Sequence, residues 1–396
     1  MEEKTTQEKI EQLKAELEKA RSELYVLYEI SNAMRTSLKL EDVLYIILTG
    51  VTAHAGLGFN RAMLFLVNEK ENIVEGKIGI GPHTGEEANR IWKQIEAEKN
   101  TLDDLIENYK TSDKMADSQL NRLVVSLKLH LDERNGGVIS LSILENMPMH
   151  ISQEIISQYA SDPLLQRIHM EEFAIVPLRT KDKVIGTIVV DNPFNKKPIT
   201  KDEIRILTMF ANQAGLAIEN SQLYEQTVLQ AQTDSLTKLW NHGYFQYALQ
   251  EEVKKAKENN TSVSLILLDM DNFKELNDAL GHQVGDQVLK DIAQIIKDYC
   301  RKLDYACRYG GEEFAVVLPQ ANKKESYLIA ERIRQAIEKY HFYDKESAEK
   351  KNSISIGVAT FPENSIQDKT GLLSFADKAL YEAKHSGKNK TCIYNG

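Results

Sequence analysis

Between Ile10 and Leu27 the apolar residues fall at Ile10, Leu13, Leu17, Ala20, Leu24 and Leu27, in alternating steps of three and four, with Glu and Lys filling most positions between them. That spacing is a heptad seam, and Ile or Leu at its core positions suits a two-stranded parallel coil. A single amphipathic helix lying on the next domain would use the same residues. The pattern predicts a coiled-coil helix over residues 1–34. From about Leu38 to Asn220 it becomes mixed α/β. A helix through Leu44–Leu48 precedes strand candidates at Arg61–Val67 and Ile73–Ile80, separated by a turn at Asn68–Asn72. Two more strands follow at Phe173–Leu178 and Val184–Asp191, with a turn at Lys181–Lys183. A long, mostly helical stretch from about Gly85 to Met170 is expected between the two pairs.

Thr200, with Glu203 three residues later, reads as a helix start. The helix is expected to run to about Thr233, with Leu207, Phe210, Ala214, Ala217, Ser221, Tyr224, Val228 and Ala231 on one seam. The small residues make that seam a candidate dimerisation stalk over 206–233; an ordinary domain-terminal helix is the alternative. Asp234–Asn241 breaks the helix and opens a C-terminal domain over 234–396. Its first helix, from Tyr244 to about Glu258, leads to the buried strand Ser262–Leu268, which ends in Asp269-Met270-Asp271. Acids at the end of a buried strand are costly unless they meet a cation. Further on, Gly310 and Gly311 interrupt strand-forming residues and are followed by Glu312 and Glu313, which predicts a tight hairpin. Glycine there would accept positive φ, and the two acids could hold a hard cation. Ser353–Ala359 is another core strand, and a helix runs through Leu380–Lys384.

Composition narrows the function classes. At 396 residues the chain should hold two or more domains, each able to bury a core. The formal net charge of −10 argues against general nucleic-acid binding. The apolar runs are strand-sized, so no signal peptide and no membrane span are expected. Cys300, Cys307 and Cys392 lack metal-like spacing and are odd in number, which fits a reduced, cytoplasmic setting.

The region 35–205 resembles a GAF domain, the small-ligand sensor fold built on an antiparallel sheet, through its closing strands and the helix after Ile199. It holds no cysteine for bilin attachment, and His54, His83, His130, His150 and His169 stand singly. Asn195-Lys196 with Asp202-Glu203 distantly matches the cyclic-nucleotide-binding signature, but a turn followed by an acidic first helical turn explains the same residues. The implied ligand is a small molecule or signal of unknown identity.

The residues Leu268–Lys274, Asn277-Asp278, Gly281-His282, Gly285-Asp286, Arg308–Phe314 and Tyr381–Lys384 resemble those of a GGDEF-domain diguanylate cyclase, over essentially all of Asp234–Gly396. The resemblance implies an α/β domain with a palm-like central sheet flanked by helices, which joins two GTP into cyclic di-GMP. It places Asp269, the Met270 carbonyl, Glu312 and Glu313 as ligands of Mg²⁺ or Mn²⁺, two per half-site, with Glu312 assisting deprotonation of the ribose 3′-OH. Two such ions neutralise phosphate charge and activate the attacking oxygen. By the same resemblance Asn277 and Asp286 read guanine, an amide and a carboxylate meeting its acceptor and donor edges. Phe273 and Lys274 offer backbone N–H groups to the β- and γ-phosphates, with Lys384 and Lys388 supplying cationic side chains.

Arg301-Lys302-Leu303-Asp304 lies at the spacing of the family's inhibitory product site, while Arg and Asp at i and i+3 also form a routine salt bridge. One domain binds one GTP, so a symmetric product implies a homodimer, and the two seams would raise the effective concentration of one half-site for the other. A catalytically silent receptor for GTP or cyclic di-GMP is the alternative reading. The expected architecture is therefore multidomain α/β: coil, GAF-like sensor, helical stalk and GGDEF domain.

Overall fold

Apolar alternation closes into two sheets, each within its own unit. The structure, a computed structural model, describes residues 14, 17, 21, 28–34, 37–53, 56–88, 118–132, 134–340, 342, 352–363 and 366–394. The chain divides into Met1–Gln226 and Thr227–Gly396.

In the first unit α1 (Leu40–Thr52) leads to β1 (Arg61–Asn68) and β2 (Ile73–Ile80). Then come α2 (Gln119–Ser126), β3 (Lys128–His130), α3 (Gly137–Leu144), β4 (Met149–Ile151), β5 (Phe173–Arg179), β6 (Val184–Asp191) and α4 (Lys201–Gln232), whose last six residues belong to the second unit. The six strands pair antiparallel in the order β3-β2-β1-β6-β5-β4. One face packs on α1 and α4 through Leu64, Val176, Ile188 and Phe210; the other buries Phe65, Val124, Ile139 and Val189. Arg61 and Asp191 sit opposite one another in the register and form a buried ion pair. Burial pushes the Asp191 carboxyl above its usual range, and Arg61 works against that.

Two expectations change here, and a third lies almost wholly outside the described residues. Among its described residues, the stretch between the strand pairs is not mostly helical: β3 and β4 come from it and form both edges of the sheet. The α4 seam is not a free stalk along its length: Leu207, Phe210, Ala214 and Ser221 are buried, the first three in the unit's own core. Of that seam Tyr224 and Ala231 are exposed. Of the N-terminal seam, Ile10, Leu13, Ala20, Leu24 and Leu27 lie outside the described residues, whereas Leu17 is helical and 59% exposed. The start of α4 is as expected, with Thr200 and Glu203 bonding reciprocally. Lys197 pairs with Glu203 at 2.7 Å, so the turn and first helical turn account for the acids there. His150 is satisfied by Glu172 at 2.8 Å.

The second unit comprises α5 (His242–Asn259), β7 (Val263–Met270), α6 (Phe273–Leu280), α7 (His282–Tyr299), β8 (Tyr305–Arg308), β9 (Glu313–Pro319), α8 (Lys323–Lys339), β10 (Ile354–Phe361), α9 (Lys369–His385) and β11 (Thr391–Ile393). Its sheet order is β11-β10-β7-β9-β8, with β10 and β11 parallel and the other pairs antiparallel. Fully buried β7 lies at the centre. Helices α7 and α8 cover one face, and α5 and α9 the other. α9 approaches β10 so closely at Gly357 that a Cβ there would lie 2.2 Å from the Leu380 nitrogen and 2.3 Å from the Ala376 oxygen. Only glycine allows that contact.

Candidate functional site

The central strand β7 delivers Asp269 to the end of the sheet, directly opposite Glu313 of β9. Residues opposite one another in an antiparallel pair project from the same face. That face is the one covered by α9, whose Lys384 places its Nζ 2.7 Å from Asp269 Oδ2. Burial pushes the Asp269 carboxyl above its usual range, Lys384 opposes the shift, and the charge of Asp271 adds to it. Glu313 is also raised, first by burial and then by the charge of Asp269. Glu312 lies in the turn between β8 and β9, and its carbonyl accepts the Met270 N–H at 3.3 Å. A cavity of about 300 Å³ opens beside Glu313, lined by Tyr309, Leu373 and Asp377 among others.

The expected metal donors Asp269, Met270, Glu312 and Glu313 thus share one end of the sheet. Among the described residues, however, no three His, Cys, Asp or Glu side chains converge on a point that could hold a metal ion. The donor chemistry fits a hard divalent cation: all the donors are oxygens, and the charge of buried Asp269 adds to burial in raising the Glu313 carboxyl, a cost that added positive charge would relieve. Asp271, grouped with Asp269 as an acid in need of a cation, is corrected. Its oxygens accept Ser353 Oγ at 2.6 Å, Ser355 Oγ at 2.7 Å and the Asn389 N–H at 3.1 Å.

The hairpin forms as expected, but Gly310 and Gly311 do not carry positive φ. Arg308 instead closes the turn, with its Nη2 donating to the Gly311 carbonyl at 2.8 Å and its Nη1 to Asp234 Oδ1 at 3.1 Å. Asp234 also caps Thr237, accepting from its N–H at 2.8 Å.

Phe273 and Lys274 occupy the first turn of α6, which follows Asn272 in the left-handed region at φ 59° and has no side-chain cap. Uncapped N–H groups at a helix start are donors for an anion. Asn277, one turn on, has a buried Oδ1 with no hydrogen-bond partner. It packs against Gly285 of α7, where a Cβ would stand 1.9 Å from that oxygen. Asp286, next in the chain, is exposed. Lys388 reaches back from the turn after α9, its Nζ 2.5 Å from Asn272 Oδ1.

Arg301 and Asp304 form the salt bridge at 3.0 Å, and the Arg301 N–H also donates to Asp304 at 2.7 Å. The Asp304 side chain is fully buried while that of Arg301 is 45% exposed, so the carboxylate is already committed and the guanidinium is the accessible half. Sequence reading missed Asn272, Asn389 and the Asp234–Arg308 pair. Asn389 carried one signal, an asparagine two residues after a glycine beyond a helix end, where left-handed backbone is common.

Residues 231–390 match the family model described as diguanylate cyclase, GGDEF domain, and residues 39–218 match the GAF domain model. The chain is 36% identical over 223 residues to diguanylate cyclase A of Treponema denticola, covering 55% of this chain and 58% of that protein. It is 40% identical over 161 residues to diguanylate cyclase DosC of Escherichia coli K12, covering 41% and 35%. A solved structure of the coiled coil and GGDEF domain of DgcB from Caulobacter crescentus in complex with c-di-GMP is 29% identical, with a TM-score of 0.43, covering 47% of this chain and 97% of that one. The chain therefore spans little more than half of the first curated relative and about a third of the second.

Proposed function

Since residues 39–218 belong to the GAF family and residues 231–390 to the GGDEF family, we propose that this protein is a diguanylate cyclase that condenses two GTP into cyclic di-GMP and two pyrophosphates. The observation that carries the reading is the Asp269–Glu313 pair at the end of β7, with its counter-ion Lys384. Pairing two raised acids at a strand end makes sense where a divalent cation is to be held.

Asp269, the Met270 carbonyl, Glu312 and Glu313 would hold Mg²⁺ or Mn²⁺, two ions per half-site. Bound there, the ions would neutralise the triphosphate and lower the pKa of the attacking hydroxyl. The remaining work belongs to the chain. Asn277, whose Oδ1 has no partner within the protein, brings its amide to guanine, where its NH₂ can meet the acceptor edge, and Asp286 on the neighbouring helix meets the donor edge. The uncapped start of α6 presents the Phe273 and Lys274 N–H groups to the β- and γ-phosphates, flanked by Lys384 and Lys388. Glu312 takes the 3′-hydroxyl proton, and Glu313, held in the sheet, keeps the acid pair in place.

Because one such set reads one guanine, the product requires a second copy of the domain. In this reading the chain works as a homodimer, with residues 1–34 and the part of 206–233 beyond Ser221 contributing to pairing and the GAF domain biasing it. Arg301 and Asp304 form the product-inhibition site, with Arg301 the half that engages guanine first. The setting is cytoplasmic.

Incubation with GTP and Mg²⁺, alone and with ATP, followed by chromatography, tests the proposal. Cyclic di-GMP as the sole product is expected. GTP retained without turnover would favour the receptor reading, which one observation supports: an ammonium, Lys384, already neutralises Asp269.

A further inference from the structure

The turn after α9 runs through three consecutive left-handed residues, Gly387 at φ 112°, Lys388 at φ 60° and Asn389 at φ 46°. Glycine adopts that region freely and asparagine tolerates it, but lysine does so rarely. A lysine held there needs its neighbours fixed. The fixing comes from Asn389. Its backbone N–H donates to Asp271 Oδ2 at 3.1 Å, Arg334 Nη1 donates to its Oδ1 at 2.7 Å, and its Nδ2 donates to Glu338 Oε1 at 2.8 Å. Every one of these partners is itself anchored. Asp271 is bonded by Ser353 and Ser355, and Arg334 by Glu331 at 2.8 Å and Glu338 at 3.0 Å. The Arg334 side chain is 12% exposed, so its charge is spent inside this network.

The consequence appears one residue back along the chain. With Asn389 tied to α8 and to the end of β7, Lys388 projects its ammonium onto Asn272 Oδ1, at the uncapped start of α6. We propose that Asn389 is a positioning residue, which sets the Lys388 ammonium beside the phosphate-binding start of α6 through the Arg334–Asn389–Asp271 network. The inference rests on the reading that triphosphate binds at Phe273 and Lys274. Asn389 itself touches no phosphate and acts through Lys388.

Calorimetric titration of the full-length protein with GTP and with inorganic tripolyphosphate, in Mg²⁺, tests it. Asn389→Gly keeps the left-handed backbone but removes both side-chain bonds. It is expected to weaken both ligands about tenfold, the scale of one charge-assisted hydrogen bond. Lys388→Met is expected to do the same, and the double variant should be no weaker than Lys388→Met alone, because each removes the same contact. Should Asn389→Gly not fold, Asn389→Asp keeps the acceptor for Arg334, sets a like charge against Glu338, and shows the same non-additivity with Lys388→Met. Losses that add in the double variant, or an Asn389→Gly protein of wild-type affinity, overturn the proposal. A wild-type protein that binds tripolyphosphate and GTP but forms no cyclic dinucleotide refutes the cyclase reading and leaves this one standing or falling on the cycle alone.

Discussion

Lys384 Nζ stands 2.7 Å from Asp269 Oδ2, so the acid expected to ligate metal carries a built-in cation. If Asp269 holds a divalent ion as proposed, the ion would compete with that ammonium for the carboxylate, and a released Lys384 would be available to the triphosphate. Lys384→Met removes the competitor, and Mn²⁺ titrated without nucleotide and followed by paramagnetic resonance should bind about fivefold more tightly. Turnover should nonetheless fall, since the phosphates lose a charge. Weaker Mn²⁺ binding in the variant would show that Lys384 does not compete with metal.

Glu312 lies in the turn, and only its backbone joins the sheet hydrogen bonding. Glu312→Gln is therefore expected to leave the melting temperature unchanged while lowering kcat about 100-fold or more, the scale of a lost general base. Full turnover in the variant would remove Glu312 from the catalytic role.

Gly285→Ala tests the guanine reader without touching a polar group. The new methyl would stand 1.9 Å from Asn277 Oδ1 and push the amide out of place. KM for GTP should rise about tenfold or more, because a site built to bond an edge of its ligand loses most when that bond cannot form. An unchanged KM would mean that Asn277 does not read the base.

Burial pushes the Asp234 carboxyl up, but hydrogen bonds from Thr237 and Arg308 outweigh it and hold the group below its usual range. A depressed carboxylate contributes stability above its unfolded pKa, and the contribution is lost as pH falls through the folded value. The melting-temperature gap between wild type and Asp234→Ala should thus be widest near neutral pH and close below about pH 3. Trp240, stacked on Tyr244 at 4.0 Å, supplies the fluorescence signal in a Trp92→Phe background. A gap that persisted undiminished in acid would exclude the ionic contribution.

Arg301→Ala is expected to abolish inhibition by added cyclic di-GMP, measured as initial rate against product concentration. It also leaves the fully buried Asp304 carboxylate without its cation, so some stability is lost too. Inhibition that survives the change rules the site out.

Strands β1, β5, β6, β7, β9 and β10 were legible because seven or eight mostly apolar residues in a row leave few alternatives, and β2, half apolar, because it follows β1 across a polar turn. β3 and β4, only Lys-Leu-His and Met-His-Ile, were not: three residues carry no period, and their pairing is decided by neighbours far along the chain. The α4 seam shows a different limit. Spacing reveals that Leu207, Phe210 and Ala214 face something apolar, but not whether that is the unit's own sheet or a second copy; it is the sheet. At the site, the acids and Asn277 were readable from motifs. The hydroxyls of Ser353 and Ser355 that satisfy Asp271, and the Asn389 contacts, were hidden because they join residues at least 50 positions apart.

The close seating of α9 on Gly357 has a consequence for how relatives of this chain are sorted. Lys384 rides on that helix, so the position of a site cation is set by a residue on a neighbouring strand that has no side chain at all. A single added methyl at 357 would lift the helix and withdraw the ammonium while every acid, amide and glycine of the recognisable motifs stayed intact. Sequences judged active by those motifs alone can therefore be silent, and a strand that carries none of those motifs is where to look for the reason.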